Sequence, residues 1–486
     1  MIVSYLNFVL PAIFASLFTV VVFFYFYTRR NFGYWKKRNV PTVWPPRAFF
    51  GNFGPCLFMQ QSAESFFHEL YKAADGELLV GYWVFDKPHV MIRDPELIKH
   101  VLVKDFDKFS DRLISSSKSD AMGNNNMFLL KEPAWKPLRQ TMSKFFTSGK
   151  MKKVFERMPD VAADLDNYLD NLGLKDEDCV IDITEMCYKF ALDLIGVTTY
   201  GINMNSLTIP DAQFREKGRI VFSTSPSRHF ENLCMFFYPP LTLQLKNSKT
   251  DFLDLLVDLK NKEISSFSHK TDFSDNELVA QAAIFYTAGF GTTSTTIMFA
   301  LYELSKQPEI QIKLQREIQS ALNLSQNKCL SYDMVQALPY LDAVVWETLR
   351  IYPTVMSLDR ISMDSYRFPG TNITIDKGTP VSIPLRALQM DSRYFANPDK
   401  FNPDNFYGPS NKSNIIKYTF LPFGDGPHIC IGMRLGLMVV KYGLAYLMSK
   451  YTVEQCKETV PNIGYNVRSV FLSPSDSIVL KIKKIK

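Results

Sequence analysis

One cysteine set in a glycine-rich bend is the part of this sequence best suited to chemistry: Pro422-Phe423-Gly424-Asp425-Gly426-Pro427-His428-Ile429-Cys430-Ile431-Gly432. A metal-bound thiolate must be shielded from oxidation while backbone N–H donors hold its charge, and glycines at 424, 426 and 432 let the backbone come close to the sulfur. From Met433 onward, Leu435, Leu437, Met438, Leu444 and Leu447 form a helical apolar face. The spacing therefore predicts Cys430 beside a positive helix N-terminus that favours the thiolate. A buried structural cysteine is the ordinary alternative for this residue type. Here the fixed spacing around the cysteine, more than the residue itself, points to a ligand.

A second unusual stretch lies in the longest expected helix. Ser274-Asp275-Asn276-Glu277 reads as a capping box, an apolar run follows, and Pro308 ends it. The span is about 30 residues, or roughly 45 Å at the α-helical rise. Its middle, from Thr287 to Thr296, carries Gly289, Gly291 and a run of Thr and Ser. Each glycine costs about 1 kcal/mol relative to alanine in a helix interior. The composition predicts a local opening of the hydrogen-bond ladder where a ligand approaches, with close helix packing on small residues as the other explanation. Glu347-Thr348-Leu349-Arg350 puts opposite charges three apart on one helix face, a spacing that by itself is usually a solvated surface pair.

The elements that position these residues are mostly helical. Helical periodicity dominates residues 150–352. Leu78 to Phe85 and His89 to Ile92 read as a hairpin around Asp86-Lys87-Pro88. A second patch alternates turns with β-branched residues, Phe368-Pro369-Gly370, Asn372 to Ile375, Asp376-Lys377-Gly378 and Val381 to Ile383, and Ser477 to Ile482 is expected to close the sheet. The fold class is therefore mainly α with a minor β-sheet.

The 486 residues carry a net charge of +6 with both signs interspersed, which excludes a nucleic-acid surface, and seven scattered cysteines without a C-x-x-C pair exclude a disulfide framework or a zinc site. A reducing compartment follows. The first 28 residues contain no charged side chain. Roughly 20 apolar residues cross a bilayer, so this segment is read as an uncleaved transmembrane anchor. Arg29, Arg30, Lys36, Lys37 and Arg38 follow at once, which keeps the remainder on the cytoplasmic side, and Pro41, Pro45 and Pro46 make a stiff spacer. The division is an anchor over 1–28, a basic and proline-rich hinge over 29–50, and one catalytic domain over 51–486. Asn372-Ile373-Thr374, a glycosylation acceptor by sequence, is then expected to stay unmodified.

The bend meets every fixed position of F-x-x-G-x-R/H-x-C-x-G, and together with the Gly/Thr helix, Glu347-x-x-Arg350 and Phe401-Asn402-Pro403-Asp404-Asn405-Phe406 it resembles the cytochrome P-450 family over essentially the whole chain. Phe146-Thr147-Ser148-Gly149-Lys150-Met151 and Tyr34-Trp35-Lys36-Lys37 look like its insect microsomal, detoxifying branch. The resemblance implies that fold, haem b (iron protoporphyrin IX), and Cys430 as the iron ligand. It also implies catalytic roles for Thr292 and Cys430 and cofactor contacts from Arg112, Trp135, Arg139, Ala288, Arg360, Phe423 and His428. Arginine suits a haem propionate because its donors form a planar fork. By the same resemblance the protein inserts one oxygen atom of O2 into an apolar small molecule. Electrons come from NADPH through NADPH-cytochrome reductase, with cytochrome b5 as an accessory donor, at the endoplasmic reticulum membrane. An apolar pocket is expected from Ile114, Phe285, Phe290, Val355, Met356 and Phe471. A positive patch for the reductase is expected from Lys131, Lys136, Lys144, Lys150 and Lys441.

Two positions depart from the family pattern. Gly291 stands where an acid usually precedes the oxygen-activating threonine, so proton delivery falls to water and the hydroxyls of Thr292 and Thr293. Asn405 replaces the arginine that usually joins Glu347 and Arg350; it can still donate hydrogen bonds but cannot complete a charged triad. Gly291 leans toward the first alternative, a haem-thiolate isomerase or dehydratase that needs no oxygen. The second is a non-enzymatic haem-binding membrane protein.

Overall fold

The computed structural model describes residues 2–117, 120–175, 178–221, 225–242, 275–325 and 327–485. Among these residues helices predominate, accompanied by nine short strands: β1 Leu79–Val84, β2 Lys87–Ile92, β3 Cys179–Asp182, β4 Ser357–Ile361, β5 Tyr366–Arg367, β6 Thr374–Ile375, β7 Pro380–Pro384, β8 Tyr451–Glu454 and β9 Val479–Lys484. The expected hairpin forms, with Tyr82 opposite His89 and Val84 opposite Lys87. Its tight turn puts Phe85 at a φ of 52°. β7 joins parallel to β2 and β4 antiparallel to β7, giving the order β1-β2-β7-β4.

Two expectations about the sheets need correction. Ser477 to Ile482 does not close that sheet. β9 instead pairs with β8 and β3 in a separate sheet, where Leu480 and Ile482 turn into the helical core and the amide of Ile183 donates to the carbonyl of Ile478 at 2.9 Å. β3 itself lies inside the stretch that helical periodicity dominates. It is a four-residue strand whose pairing comes entirely from β9, about 300 residues away in the chain, so local periodicity carries no trace of it.

The N-terminal helix runs from Ile2 to Arg29, and the segment Pro11–Lys37 is long and apolar enough to cross a membrane, with none of its apolar window buried. Within residues 29–50 the chain is tied to the sheet. Trp35 is fully buried, its indole donates to the carbonyl of Tyr82 at 3.2 Å, and the amide of Gly81 donates to the carbonyl of Pro41 at 2.8 Å. Only glycine fits at 81, because a Cβ there would lie 2.5 Å from the Trp35 ring.

The long helix spans Asp275–Lys306; Ser274 of the expected capping box lies outside the described residues. The helix is unbroken through Gly289 and Gly291, so the predicted opening of its ladder does not occur. The hydroxyls of Thr287, Ser294 and Thr296 donate to carbonyls one turn earlier, which satisfies them without disturbing the backbone. Gly289 has a packing role, since a Cβ there would approach Ile195 to 3.3 Å. The helix Met433–Lys450 crosses it closely, and a Cβ at Gly443 would meet Ile297 at 3.0 Å. These two helices, Ile183–Ile195 and Pro339–Ile351 carry the larger apolar core, and the four-stranded sheet carries a second one.

His89 lies in β2, 1% exposed, beneath the ring of Tyr82, and its Nε2 has no partner. Burial and the neighbouring Lys87 hold its pKa down at about 3. The folded ring stays neutral where the unfolded one, near 6.5, takes up a proton, so stability falls as pH drops below about 6.5. Between about pH 7.5 and about pH 5.5 this one group should cost about 1.4 kcal/mol. His89→Phe should flatten the pH dependence of urea unfolding by that amount; an unchanged slope would show that the ring is protonated in the fold.

Candidate active site

The cysteine bend is held by its own backbone. The amide of Cys430 donates to the carbonyl of Phe423 at 2.9 Å, and that of Ile429 to Gly426 at 3.0 Å. Gly424 and Gly426 have φ of 71° and 70°, and a Cβ on Gly426 would strike the carbonyl of Leu102 at 2.0 Å. Gly432 differs from expectation: its φ is −87° with open space around it, and its contribution is its amide, which favours the thiolate form of Cys430. The following helix starts at Met433, so the sulfur lies at its N-terminus as predicted. Burial pushes the thiol pKa up, opposed by the Gly432 amide and by the charges of Arg139 and Arg112. The Cys430 side chain has accessible surface although it lies deep in the protein, so it opens on an internal space.

Buried cations line that space. The helix Trp135–Ser143 directs Arg139 to the carbonyl of Ile429 at 2.5 Å, and Arg112 reaches the carbonyl of His428 at 3.4 Å. Arg360, on β4, is 3% exposed, and burial with the nearby Arg112 brings its pKa down to about 9. The Nε atoms of both Arg112 and Arg360 are buried without a partner. An orphaned guanidinium donor is costly, so the donor set calls for an anion that can reach both arginines. The propionates of haem b fit that demand, and the single thiol fits the iron. His428 packs tilted against Trp135 at 3.9 Å between ring centroids and bonds the carbonyl of Ser110 through Nε2 at 2.7 Å. Burial, reinforced by Arg112 and Arg360, keeps the ring neutral with a pKa of about 2. Phe423 is half-buried, edge-on to Trp346 at 5.9 Å.

The opposite wall is the middle of the long helix. Ala288 is exposed although Tyr286 and Phe290 on either side are buried. Phe285 and Ile431 pack on one cluster with Trp135, Leu138 and Met142, which brings this helix and the cysteine bend to a common boundary. Ala288 and Thr292 lie one turn apart on the same face. The Thr292 hydroxyl donates to the carbonyl of Ala288 at 2.6 Å, so its lone pairs are what it offers outward. Thr293 is buried, about 100° round the helix from Thr292. The expected hand-over between these two hydroxyls therefore has no shared face.

Glu347 and Arg350 are fully buried, not a surface pair: two bonds of 2.7 and 2.8 Å join them. Arg350 also donates to the carbonyls of Gln389 at 2.9 Å and Lys400 at 3.1 Å, while Glu347 accepts from the Asn402 amide at 2.8 Å. Asn405 donates to both Glu347 oxygens at 3.3 Å, so it keeps the contact without the charge.

The structure places the other expected positions as follows. Phe290 packs with Tyr188 and Tyr286 in an interhelical core and does not line the site. Ile114 is buried, and Val355 and Phe471 form a β-bridge. Lys441 is buried and paired with Asp342 at 2.6 Å, because it sits on the inward face of its helix, so it cannot serve a positive patch. Lys131 turns inward to the carbonyls of Arg112 and Ile114, which leaves Lys136, Lys144 and Lys150 exposed. Asp359, beside Arg360, accepts from the amides of Leu113 and Ile114. Lys131 and Asp359 were not legible as site residues, since nothing local marks a long-range grip on backbone.

Arg350→Ala would leave a buried carboxylate without its cation, at a cost of about 3–5 kcal/mol. Asn405→Ala removes a neutral donor and should cost about 1–2 kcal/mol. Urea unfolding of the two variants should rank them in that order; equal costs would mean that Asn405 carries the site.

The description "Cytochrome P450" matches residues 41–246 and 240–482 of this chain. Among similar proteins, cytochrome P450 6k1 of Blattella germanica is 39% identical, covering 96% of each chain. The probable cytochromes P450 6t3 and 6g2 of Drosophila melanogaster are 34% and 32% identical, over 96% and 93% of this chain and 98% and 95% of their own. Alignment of that extent, across a thiol bend and a buried Glu/Arg pair that fold as the motifs require, shows that the chain belongs to the cytochrome P450 family: a haem-dependent monooxygenase that receives electrons through a reductase and acts on a small molecule.

Proposed function

We propose that this protein is a microsomal monooxygenase of apolar compounds, foreign chemicals or endogenous lipid-like molecules. Its catalytic domain (51–486) would be held on the cytoplasmic face of the endoplasmic reticulum by residues 1–28, with 29–50 leading into it. Cytochrome b5 joins the reductase as a second electron donor. The observation that carries the site is the convergence of Arg112, Arg139 and Arg360 on the Cys430 bend with buried donors still unmatched.

Haem b supplies iron that activates molecular oxygen and transfers one atom of it. Cys430 would hold that iron through its sulfur, with the Gly432 amide, the helix N-terminus and the arginines favouring the thiolate. Arg112, Arg139 and Arg360 would neutralise the propionates, and Trp135 with His428 would wall that edge. Phe423 would pack on the thiolate side of the cofactor and the exposed Ala288 on the other. Thr292, its proton engaged by the Ala288 carbonyl, accepts a hydrogen bond from what binds beside it, and water supplies the protons that Gly291 cannot. Nothing in this arrangement favours the isomerase reading, which has no use for that hydroxyl.

Cys430→Ala should abolish the red-shifted Soret band of the reduced CO complex; a persisting band would exclude Cys430 as ligand. Thr292→Ala should raise the fraction of NADPH lost as peroxide, and a fully coupled variant would remove Thr292 from proton control. Topology is open to a direct check, because Asn323, Asn372 and Asn411 each begin an Asn-x-Ser/Thr acceptor and all are exposed. All should be free of glycan in the membrane-inserted protein, and a glycan on any of them would put the domain in the lumen. NADPH consumption with reductase across terpenoids, fatty acids, steroids and plant toxins, with product identification, defines the substrate.

A further inference from the structure

Arg112 stands on a segment that no helix or regular strand positions. Residues 111–114 touch β4 through one bridge, the amide of Ile361 donating to the carbonyl of Asp111 at 3.0 Å. The rest of the hold comes from two charged side chains on opposite kinds of backbone group. One oxygen of Asp359 accepts the amides of Leu113 at 2.5 Å and Ile114 at 3.2 Å. The ammonium of Lys131 donates to the carbonyls of Arg112 and of Ile114, the latter at 2.8 Å. The Glu132 amide adds a bond to the Asp111 carboxylate at 2.9 Å. Donors and acceptors of the short segment are thus both taken up, by groups on two elements that themselves border the site: β4, which bears Arg360, and the approach to the helix bearing Arg139.

We infer that Lys131 and Asp359 are positioning residues of the cofactor site, a pair of charged clamps that fix residues 112–114 and thereby hold the Arg112 guanidinium where it meets an anion. This rests on the reading of Arg112 as a haem contact. The guanidinium is itself weakly held by protein, with a 3.4 Å bond to His428, a partnerless Nε and the Phe128 ring 4.3 Å away, so its place depends on the backbone beneath it. Charged side chains suit the task because a hydrogen bond to an ionised group is about twice as strong as a neutral one. Burial lowers the pKa of Lys131 while Asp359 and Asp111 oppose the shift.

The test is the rate of haem transfer from the full-length holoprotein to an excess of apomyoglobin, with the reduced-CO spectrum verifying thiolate ligation beforehand. Arg112→Ala, Lys131→Met and Asp359→Ala should each speed haem loss about tenfold or more, the effect of losing one charge-assisted contact. Lys131→Met should add nothing further in the Arg112→Ala background, because it acts through Arg112. Lys131→Arg and Asp359→Asn, which keep a donor and an acceptor, should restore most of the retention. If Arg112→Ala leaves haem loss unchanged, Arg112 is not a haem contact and the underlying reading fails. If Arg112→Ala speeds it but Lys131→Met does not, or if the two effects multiply, the clamp is overturned. Should Lys131→Met fail to accumulate, the Asp359→Ala and Asp359→Asn pair in both backgrounds decides the matter alone.

Discussion

Buried positive charge is the constraint around which this molecule is arranged. Arg112, Arg139 and Arg360 come together beside Cys430 with Lys131 behind them, and the facing carboxylates of Asp359 and Asp111 are occupied with backbone amides. Desolvating a guanidinium without a counter-charge costs several kcal/mol, so the cluster is suited to a ligand of opposite charge. The same cations make a thiolate at Cys430 less costly than its burial alone would allow. One electrostatic arrangement would thus serve both a bound anion and the thiolate form of Cys430.

Rigidity around this cluster comes from a different buried charge. Glu347 and Arg350 are saturated, with backbone carbonyls and amides of residues 389, 400 and 402 completing their bonds. Such a pair adds little net stability but is costly to break, which makes it a device for specifying one packing of distant loops. Asn405 shows how far the arrangement can be economised: two amide contacts at 3.3 Å stand where a charge would otherwise be.

The long helix Asp275–Lys306 combines two demands within a few residues. It must be continuous to span the domain, and one stripe of it must be small and polar. Back-bonding by Thr292, Ser294 and Thr296 meets both, since each hydroxyl is satisfied inside its own helix. A consequence is that Thr292 approaches the site as an acceptor first, which bears on how protons arrive in a protein with Gly291 as its neighbour.

The sequence by itself determined whatever depends on short spacing. The cysteine bend and its helix, the hairpin around Asp86, the span of the long helix and the apolar N-terminal segment are all set by contacts within a few turns, so residue type and period suffice to read them. Tertiary structure decided the rest. Whether Glu347 and Arg350 face water or the core, which sheet receives β9, whether Phe290 points to the site or to Tyr188, and that Lys131, Lys441 and Asp359 turn inward are settled by partners tens to hundreds of residues away. The glycine-rich stretch illustrates the division: its composition was visible, but only the proximity of Ile195 shows that Gly289 serves packing and that the helix stays whole. Long charged side chains are the extreme case, since the same lysine can be solvated or buried at one helical position, and what it meets there depends on the assembled fold.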